Sequence, residues 1–409
     1  MKQYLDANTT PGGTDSETIQ NAIAKAKAEG HGRVVIPRRN ERTGKDEWII
    51  DETVKLPSGV ELLIDDAHLT LADGVYANMF ANETARTEDC RRLSARQHGI
   101  TIRGRGRAVL DGGNYNGLSE RNSGKDGLPH ISYNTTVLFV NVSDVLIENI
   151  SVVRQRWWGI TNVFVTDSVF RNIRFQSDFS RVDEDGVHHP DETPKGYDEI
   201  YIKNSDGIDL RVGCHNILIE NISGFTEDDS VALTALGGFE SKQSLMLTEP
   251  DADCDIHDVT VRNVSTSTYC ANIRLLNDNG YKLYNVTVDG VTSHRMDQDP
   301  AYRNCHCVRI GDVHYADTPS VLGDTHHITV RNVVADAQYG VFLCKGLCDS
   351  LIENITVTGG GEYAVAASRN PAGLAEVQNV RVRNLLTEGG TEAADTEMLK
   401  GQLLCSGNT

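Results

Sequence analysis

Residues 225–235 read FTEDDSVALTA, so Asp228 and Asp229 stand side by side against the strand-like run Val231-Ala232-Leu233, with Glu227 beside them. Counting back 22 residues from Asp228 reaches Asp206, in the stretch NSDGIDLRVG at 204–213. Crowded carboxylates repel, and the repulsion raises one pKa until a proton is kept near neutrality. Hydrolysis of a glycosidic bond needs such a set: one acid protonates the leaving oxygen and one base activates water. The competing assignment is an acidic turn facing solvent, or a calcium site. Asp206, Asp228 and Asp229 are therefore the candidate catalytic residues. The chemistry calls for no cofactor, and no metal site is expected.

Neighbouring side chains of a strand point to opposite faces, so both acids share one face only at a turn or bulge. A recurring phrase shows what would hold that turn: alternating apolar residues, a polar residue, Asn, then another apolar residue. It reads VLIENISV at 145–152, VFRNIRF at 169–175, ILIENIS at 217–223 and VTVRNVS at 259–265. It returns as KLYNVTV at 282–288, ITVRNVV at 328–334, LIENITV at 351–357 and VRVRNLL at 380–386. Asn149 to Asn172 is 23 residues, while Asn263 to Asn285 and Asn332 to Asn354 are 22 each. Period-two alternation marks strands, and a repeat of this length marks a parallel β-helix, here of roughly ten coils. Coils stack about 4.8 Å apart, so residues one period apart become neighbours. The spacing thus predicts Asp206 on the coil beside Asp228 and Asp229. The recurrent Asn is expected to bond turn backbone and stack on its copy one coil away.

The stretch SETIQNAIAKAKAEGHGRVVIP at 16–37 predicts an amphipathic helix ending near Gly30, then a strand, with Ser16 as N-cap. Such a helix covers the open edge of a coil stack. A single all-β domain over 1–409 is expected, with a cap region at about 14–50 and a polar C-terminal cap or tail at about 390–409. An apolar content of 39% suits a narrow core with much surface. The net charge of −19 argues against a nucleic-acid partner, which needs a basic face. No run approaches the ~20 apolar residues of a membrane span. The opening residues MKQYLDANTTPGGTDSETIQ lack the pattern of a secretory signal, so a cytoplasmic location is expected. On the same ground the Asn-x-Ser/Thr matches are read as unglycosylated. The nine cysteines, including CHC at 305–307 and CKGLC at 344–348, lack zinc-knuckle spacing and are read as free thiols.

The stretch NSDGIDLRVGCHNILIENISGFTEDDSVALTA resembles the central signature of the polygalacturonase-like glycoside hydrolases of family 28. That family shows Asn-x-Asp-Gly-Ile-Asp, an Ile-x-Asn-like strand, then Asp-Asp before a small apolar strand. RQRWWGITNVFVTDSVFRNIRF at 154–175 is similar to the preceding coil, and LPSGVELLIDDAHLTLADG at 56–74 to the broader pectin-lyase-like superfamily. The resemblance implies a right-handed β-helix and an inverting hydrolase. In that scheme Asp228 is the general acid, while Asp206 and Asp229 hold and deprotonate the water. Arg274, in ANIRLLND at 271–278, matches the Arg of the family's Arg-Ile-Lys motif, but Leu276 stands where its Lys belongs. The family's Gly-His-Gly motif is missing: GGFESKQSLMLTEPDAD after the acid pair contains no His. Both lost residues shape a uronate subsite, so a sugar other than galacturonate is expected.

Asn204, Arg274 and Trp158 are the expected substrate contacts, Trp158 as an aromatic platform for a sugar face. If residues 154–158 form a strand, Trp157 and Trp158 point opposite ways and only one faces the groove. Asp185 and His188, in DGVH at 185–188, echo DGID at 206–209 and could set a histidine over the acids. The plainer alternative is a solvated loop. The partner is then an oligosaccharide, cleaved from its end, with oligomeric state left open. The alternative is a β-helix lyase, epimerase or glycosyl-transferring enzyme; a lyase needs a basic Lys or Arg aligned with the sugar's C5 proton, for which Arg274 is the one candidate. A non-catalytic carbohydrate-binding or structural β-helix has no use for three converging acids.

Overall fold

The computed structural model describes residues 3–120, 129–185, 187–195, 199, 203–297, 299–313, 315–388, 394–395 and 400–405. The fold is a right-handed parallel β-helix. Its contacts divide into two compact units, Met1–Ser205 with Ser241–Asp251 and Asp206–Glu240 with Ala252–Thr409.

In the first unit the strands Arg33–Pro37, Glu61–Asp65, Gln97–Arg105, Val137–Val153 and Ile160–Gln176 pair in parallel, each with the next. A second ladder of Trp48–Ile50, His68–Leu71 and Val109–Asp111 joins the end of Val137–Val153. A third, Val54–Leu56 and Phe80–Asn82, joins its start. The cap is the helix Asp15–Ala28, which buries Ile19, Ala22, Ile23 and Ala26 at helical spacing. It packs on Arg33–Pro37, Trp48–Ile50 and Val54–Leu56. Its N-cap is Thr14, whose hydroxyl accepts from Glu17 N at 3.2 Å. Ser16 is instead buried inside the first turn and accepts from Asp51 N and Glu52 N, so it ties the helix to the next coil.

In the second unit two ladders run side by side. One contains His215–Thr226, Ile256–Thr268, Leu283–Ser293, Thr325–Ala335, Gly346–Val357 and Glu376–Thr387. The other contains Ile208–Leu210, Val231–Ala235, Ala271–Asn277, His306–Ile310, Tyr339–Leu343 and Tyr363–Ala367. Inward residues stack in columns, such as Ile208, Val231, Ile273, Val308, Val341 and Val365, all buried. This is the narrow core that the modest apolar content allowed.

The Asn phrase does two jobs. Asn149, Asn172, Asn221, Asn263, Asn332, Asn354 and Asn384 all hold positive φ between 54° and 59°, the left-handed corner that Asn tolerates. Their amides bond from coil to coil: Asn172 to Asn149 at 2.8 Å, Asn354 to Asn332 at 3.0 Å and Asn384 to Asn354 at 2.9 Å. The coils themselves are uneven, however. Asn263 bonds Asn221 across 42 residues, and Asn285 bonds Asp258 rather than Asn263, because Val259 pairs with Val286. The 22-residue spacing of Asn263 and Asn285 is therefore not a coil repeat. Chain excursions of different lengths leave the strands and return.

Beside the Asn corner runs a column of alternating sign: Glu220, Arg262, Asp289, Arg331, Glu353 and Arg383 occupy successive coils at one register position. Ion pairs join Arg262 to Glu220 at 2.6 Å, Arg331 to Asp289 at 2.8 Å and Arg383 to Glu353 at 2.5 Å. Of the cysteines, Cys90, Cys214, Cys307, Cys344 and Cys348 are free and buried, Cys254 and Cys270 free and half-buried, and Cys305 free and exposed. Most of the expected 390–409 cap lies outside the described residues, which there comprise only the short strands Ala394–Asp395 and Lys400–Cys405. Among the described residues no helix is long and apolar enough to cross a membrane.

Candidate active site

The strand His215–Thr226 ends one residue before the acids, and Val231–Ala235 begins just after them. Residues 227–230 form the bend between the two, so the pair escapes the alternation of a strand. Hydroxyls pin that bend. Thr226 Oγ1 donates to Asp228 O at 2.9 Å, and Thr268 Oγ1, one coil on, donates to the same oxygen at 2.5 Å. Asp229 N donates to Asp228 Oδ1 at 2.9 Å, which fixes the first carboxylate. Carboxylate oxygens of Asp228 and Asp229 and the Cys270 thiol lie within 4.8 Å of one another.

Asp206 stands two residues before the neighbouring strand Ile208–Leu210, one position off from the spacing argument. Ile208 pairs with Val231 and Gly207 N donates to Asp229 O at 2.9 Å, so Asp206 stands opposite Asp229 rather than Asp228. The coil here is one residue longer than the assumed period. Asp206 is 5% exposed, Asp228 3%, Asp229 2% and Glu227 2%, a concentration of acid that water cannot screen.

Arg274 answers part of that charge. It lies opposite Ala232 in the ladder and is buried. Its Nη1 donates to Asp229 Oδ2 at 3.1 Å, and its Nη2 reaches Asp312 Oδ2. Asp312 is shared in turn with Arg309. The guanidinium also lies over the Tyr315 ring, 4.8 Å from its centre. Burial works against the Arg274 charge, but Asp229 and its other neighbours outweigh it and keep the group protonated.

Asp209, three residues after Asp206, belongs to the cluster and is 1% exposed. Burial, with the charges of Asp209, Asp228 and Asp229, raises the Asp206 pKa well above the carboxylate range. Burial likewise pushes Asp209 up to about 8, against the pull of Arg211 and the Asp206 hydrogen bond. The interaction between the two carboxyls favours the proton on Asp206. A proton is thus stored beside the acid pair near neutrality. Its sign in stability is fixed by linkage. Between 3.8 and about 8 the folded chain keeps the Asp209 proton that the unfolded chain has lost. The unfolding free energy from this group therefore falls as pH rises through that window and levels off above it. Asp209→Asn, neutral throughout, should flatten the fall. Denaturant midpoints of both proteins from about pH 5 to about pH 8.5 read this out. Parallel pH profiles would refute it.

The other expected contacts belong to the first unit. Asn204 takes positive φ (53°), and its Nδ2 donates to Glu120 Oε1 at 2.8 Å. Trp157 Nε1 donates to the same oxygen at 3.0 Å. Trp158 is 8% exposed, and its ring stacks on Trp157 at 3.9 Å and 14°. The tryptophans do not point opposite ways as a strand requires, because residues 154–159 form a turn before Ile160–Gln176. His188 and His189 form one arm of a short antiparallel ribbon with Arg181–Val182. His188 Nε2 bonds Asp178 Oδ2 at 2.9 Å, and His189 Nε2 bonds Asp183 Oδ2 at 2.8 Å. Asp185 is exposed at the tip of that ribbon, its N–H bonded to Asp183. Residues 186, 196–198 and 200–202 of this segment lie outside the described residues.

Four residues of the site escaped the sequence reading. Asp209 was in plain view in NSDGID, and Asp312 stands in RIGD at 309–312, one coil beyond RLLND at 274–278. Aligning those two phrases finds it. His306, from the CHC stretch weighed only for its cysteines, is pushed down to about 3 by burial, then by Arg309 and Arg274. It is a neutral imidazole near the two arginines. Tyr315 carried no signal.

No family model matches the chain, and no curated protein does. Solved structures share its fold at low identity. An exopolygalacturonase from Thermotoga maritima is 15% identical with a TM-score of 0.57, covering 98% of this chain and 93% of its own. The catalytic domain of a GH87 α-1,3-glucanase in complex with nigerose is 16% identical with a TM-score of 0.56, covering 100% and 68%. PfbA, a surface adhesin of Streptococcus pneumoniae, is 15% identical with a TM-score of 0.51, covering 96% and 91%. The likeness bears out the parallel β-helix fold. Hydrolases and an adhesin alike use it, so the fold by itself does not decide activity.

Proposed function

We propose that this β-helix is an inverting glycoside hydrolase that acts on the ends of oligosaccharides built from neutral sugars. The observation that carries the reading is the state of Arg274. It is the one cation matching a uronate reader of family 28, and here Asp229 and Asp312 occupy its two Nη atoms. With its charge already matched by two buried carboxylates, the guanidinium has little net attraction left for a third on the substrate. The acids remain, while the means of recognising an acidic sugar are spent.

The roles follow the resemblance. Asp228 protonates the leaving oxygen, and Asp206 with Asp229 activates water on the opposite side of the ring. Inversion requires about 6.5–9.5 Å between the opposed carboxyls to admit that water. The proton that Asp206 holds in the ligand-free chain must leave it before it acts as base. Likeness to an exopolygalacturonase supports action at chain ends, and likeness to a glucanase crystallised with nigerose supports a neutral glycan.

The test is a set of linked sugars incubated with the protein, with the first-formed anomer read by NMR. Polygalacturonic acid should be cleaved weakly or not at all, and a neutral disaccharide such as nigerose should yield the inverted anomer. Efficient release of galacturonate would overturn the substrate assignment. An unsaturated product would overturn hydrolysis itself.

A further inference from the structure

We propose that His215, Asp253 and His257 form a binding site for one divalent transition-metal ion of the zinc class, away from the acid cluster. One donor atom from each lies within 4.8 Å of the other two. The ladder places the two histidines directly side by side, with rings stacked at 4.6 Å and 6°. Asp253 precedes His257 by four residues, and its Oδ2 lies 3.0 Å from His257 Nε2.

The partners behind these groups set their orientation. His257 Nδ1 is 2.7 Å from Asp258 Oδ2, and Asp258 Oδ1 accepts from Asn285 at 3.2 Å. Asp253 Oδ1 accepts from Asp255 N at 3.0 Å, leaving Oδ2 for the site. A carboxylate that takes the Nδ1 proton leaves a lone pair on Nε2, the arrangement found behind metal-bound histidine. That lone pair then faces a carboxylate oxygen, an unfavourable contact unless a cation lies between. A second ring proton can be that cation. With the His215 ring within reach, a metal ion can take that place once the donors open slightly.

Two imidazoles and one carboxylate suit zinc, nickel or copper rather than calcium or magnesium. Bonds of about 2.0–2.2 Å put tetrahedral donors about 3.3–3.6 Å apart, so the His215 ring must turn inward while the other pair barely moves. The Asp253 side chain is 50% exposed, which leaves a side open for water as fourth ligand. The ion would join two coils separated by 42 residues of chain, the kind of long loop whose closure gains most from a cross-link.

The full chain, stripped with a chelator, is titrated with Zn²⁺ by calorimetry and with Co²⁺ by visible absorption. One equivalent should bind, with a tetrahedral Co²⁺ spectrum and a higher melting temperature. His257→Ala should abolish binding, as should Asp253→Asn, an exposed change whose fold circular dichroism checks. Asp258→Asn, which touches no ion, should weaken affinity by about 10–100-fold. No binding to the wild type overturns the proposal. So does binding that survives both Asp253→Asn and His257→Ala. Loss of the ion in Cys270→Ser would place it at the Asp228–Asp229–Cys270 group instead, and would also overturn it.

Discussion

Asp228→Asn should lower turnover of an unactivated disaccharide by roughly 10²–10⁴-fold, the usual worth of a general acid. A glycoside with a good leaving group should keep most of its rate, because departure then needs no proton. Asn retains the Oδ1 that accepts from Asp229 N, so the bend should hold. Asp206→Asn and Asp229→Asn should depress both substrates alike, since water must be activated whatever leaves. Relief of mutual repulsion should keep the Asp228 variant at least as stable as the parent, while Asp206→Asn, which replaces a carboxyl already protonated near neutrality, should change stability little. For Asp229 the lost partner of Arg274 offsets that gain. Steady-state rates on the two substrate classes decide the roles. If the leaving-group dependence appears in Asp206→Asn instead, the stored proton on Asp206 is the catalytic one. Wild-type rates in Asp228→Asn would remove the acid pair from catalysis.

Arg274→Ala should cost about 3–5 kcal/mol of stability, because it leaves the buried Asp229 carboxylate without its counter-charge. Asp229 and Asp312 each lose a bond to the guanidinium, and both are buried. Lysine should not rescue the loss, since one ammonium cannot reproduce the fork that bridges the two acids. Adding Asp229→Asn to Arg274→Ala should restore part of it by neutralising the orphaned charge, whereas Asp312 keeps Arg309. Urea or guanidinium midpoints of the parent, Arg274→Ala, Asp229→Asn and the double variant measure the coupling. An Arg274→Ala midpoint equal to that of the parent would show that the acids bind protons rather than need the arginine.

The fold was legible because period-two alternation and the Asn corner are local signals that repeat. The coil length was not. Asn263 and Asn285 keep an inviting spacing, yet Asn285 bonds Asp258, because excursions between strands vary in length and the phrase does not record them. The same cause moved Asp206 from opposite Asp228 to opposite Asp229. The acid pair was readable from adjacent like charges against an apolar run. Asp312 was not, since its role depends on a long-range register that pairs Arg274 with Arg309. The tryptophan pair misled for a related reason. A strand rule was applied to residues that turn, and the rings stack face to face instead.

The column Glu220, Arg262, Asp289, Arg331, Glu353 and Arg383 gives the coil stack a parity. Removing one coil from its interior would bring two like charges together at 4.8 Å spacing, whereas removing two adjacent coils would restore every opposite pair. Duplication obeys the same arithmetic. Each exposed pair contributes little alone, but the penalty for odd changes falls on a position where the chain has no other partner sign to choose. This face can therefore lengthen or shorten in steps of two coils without altering a single charged residue. A one-coil change must be accompanied by a charge reversal at the junction.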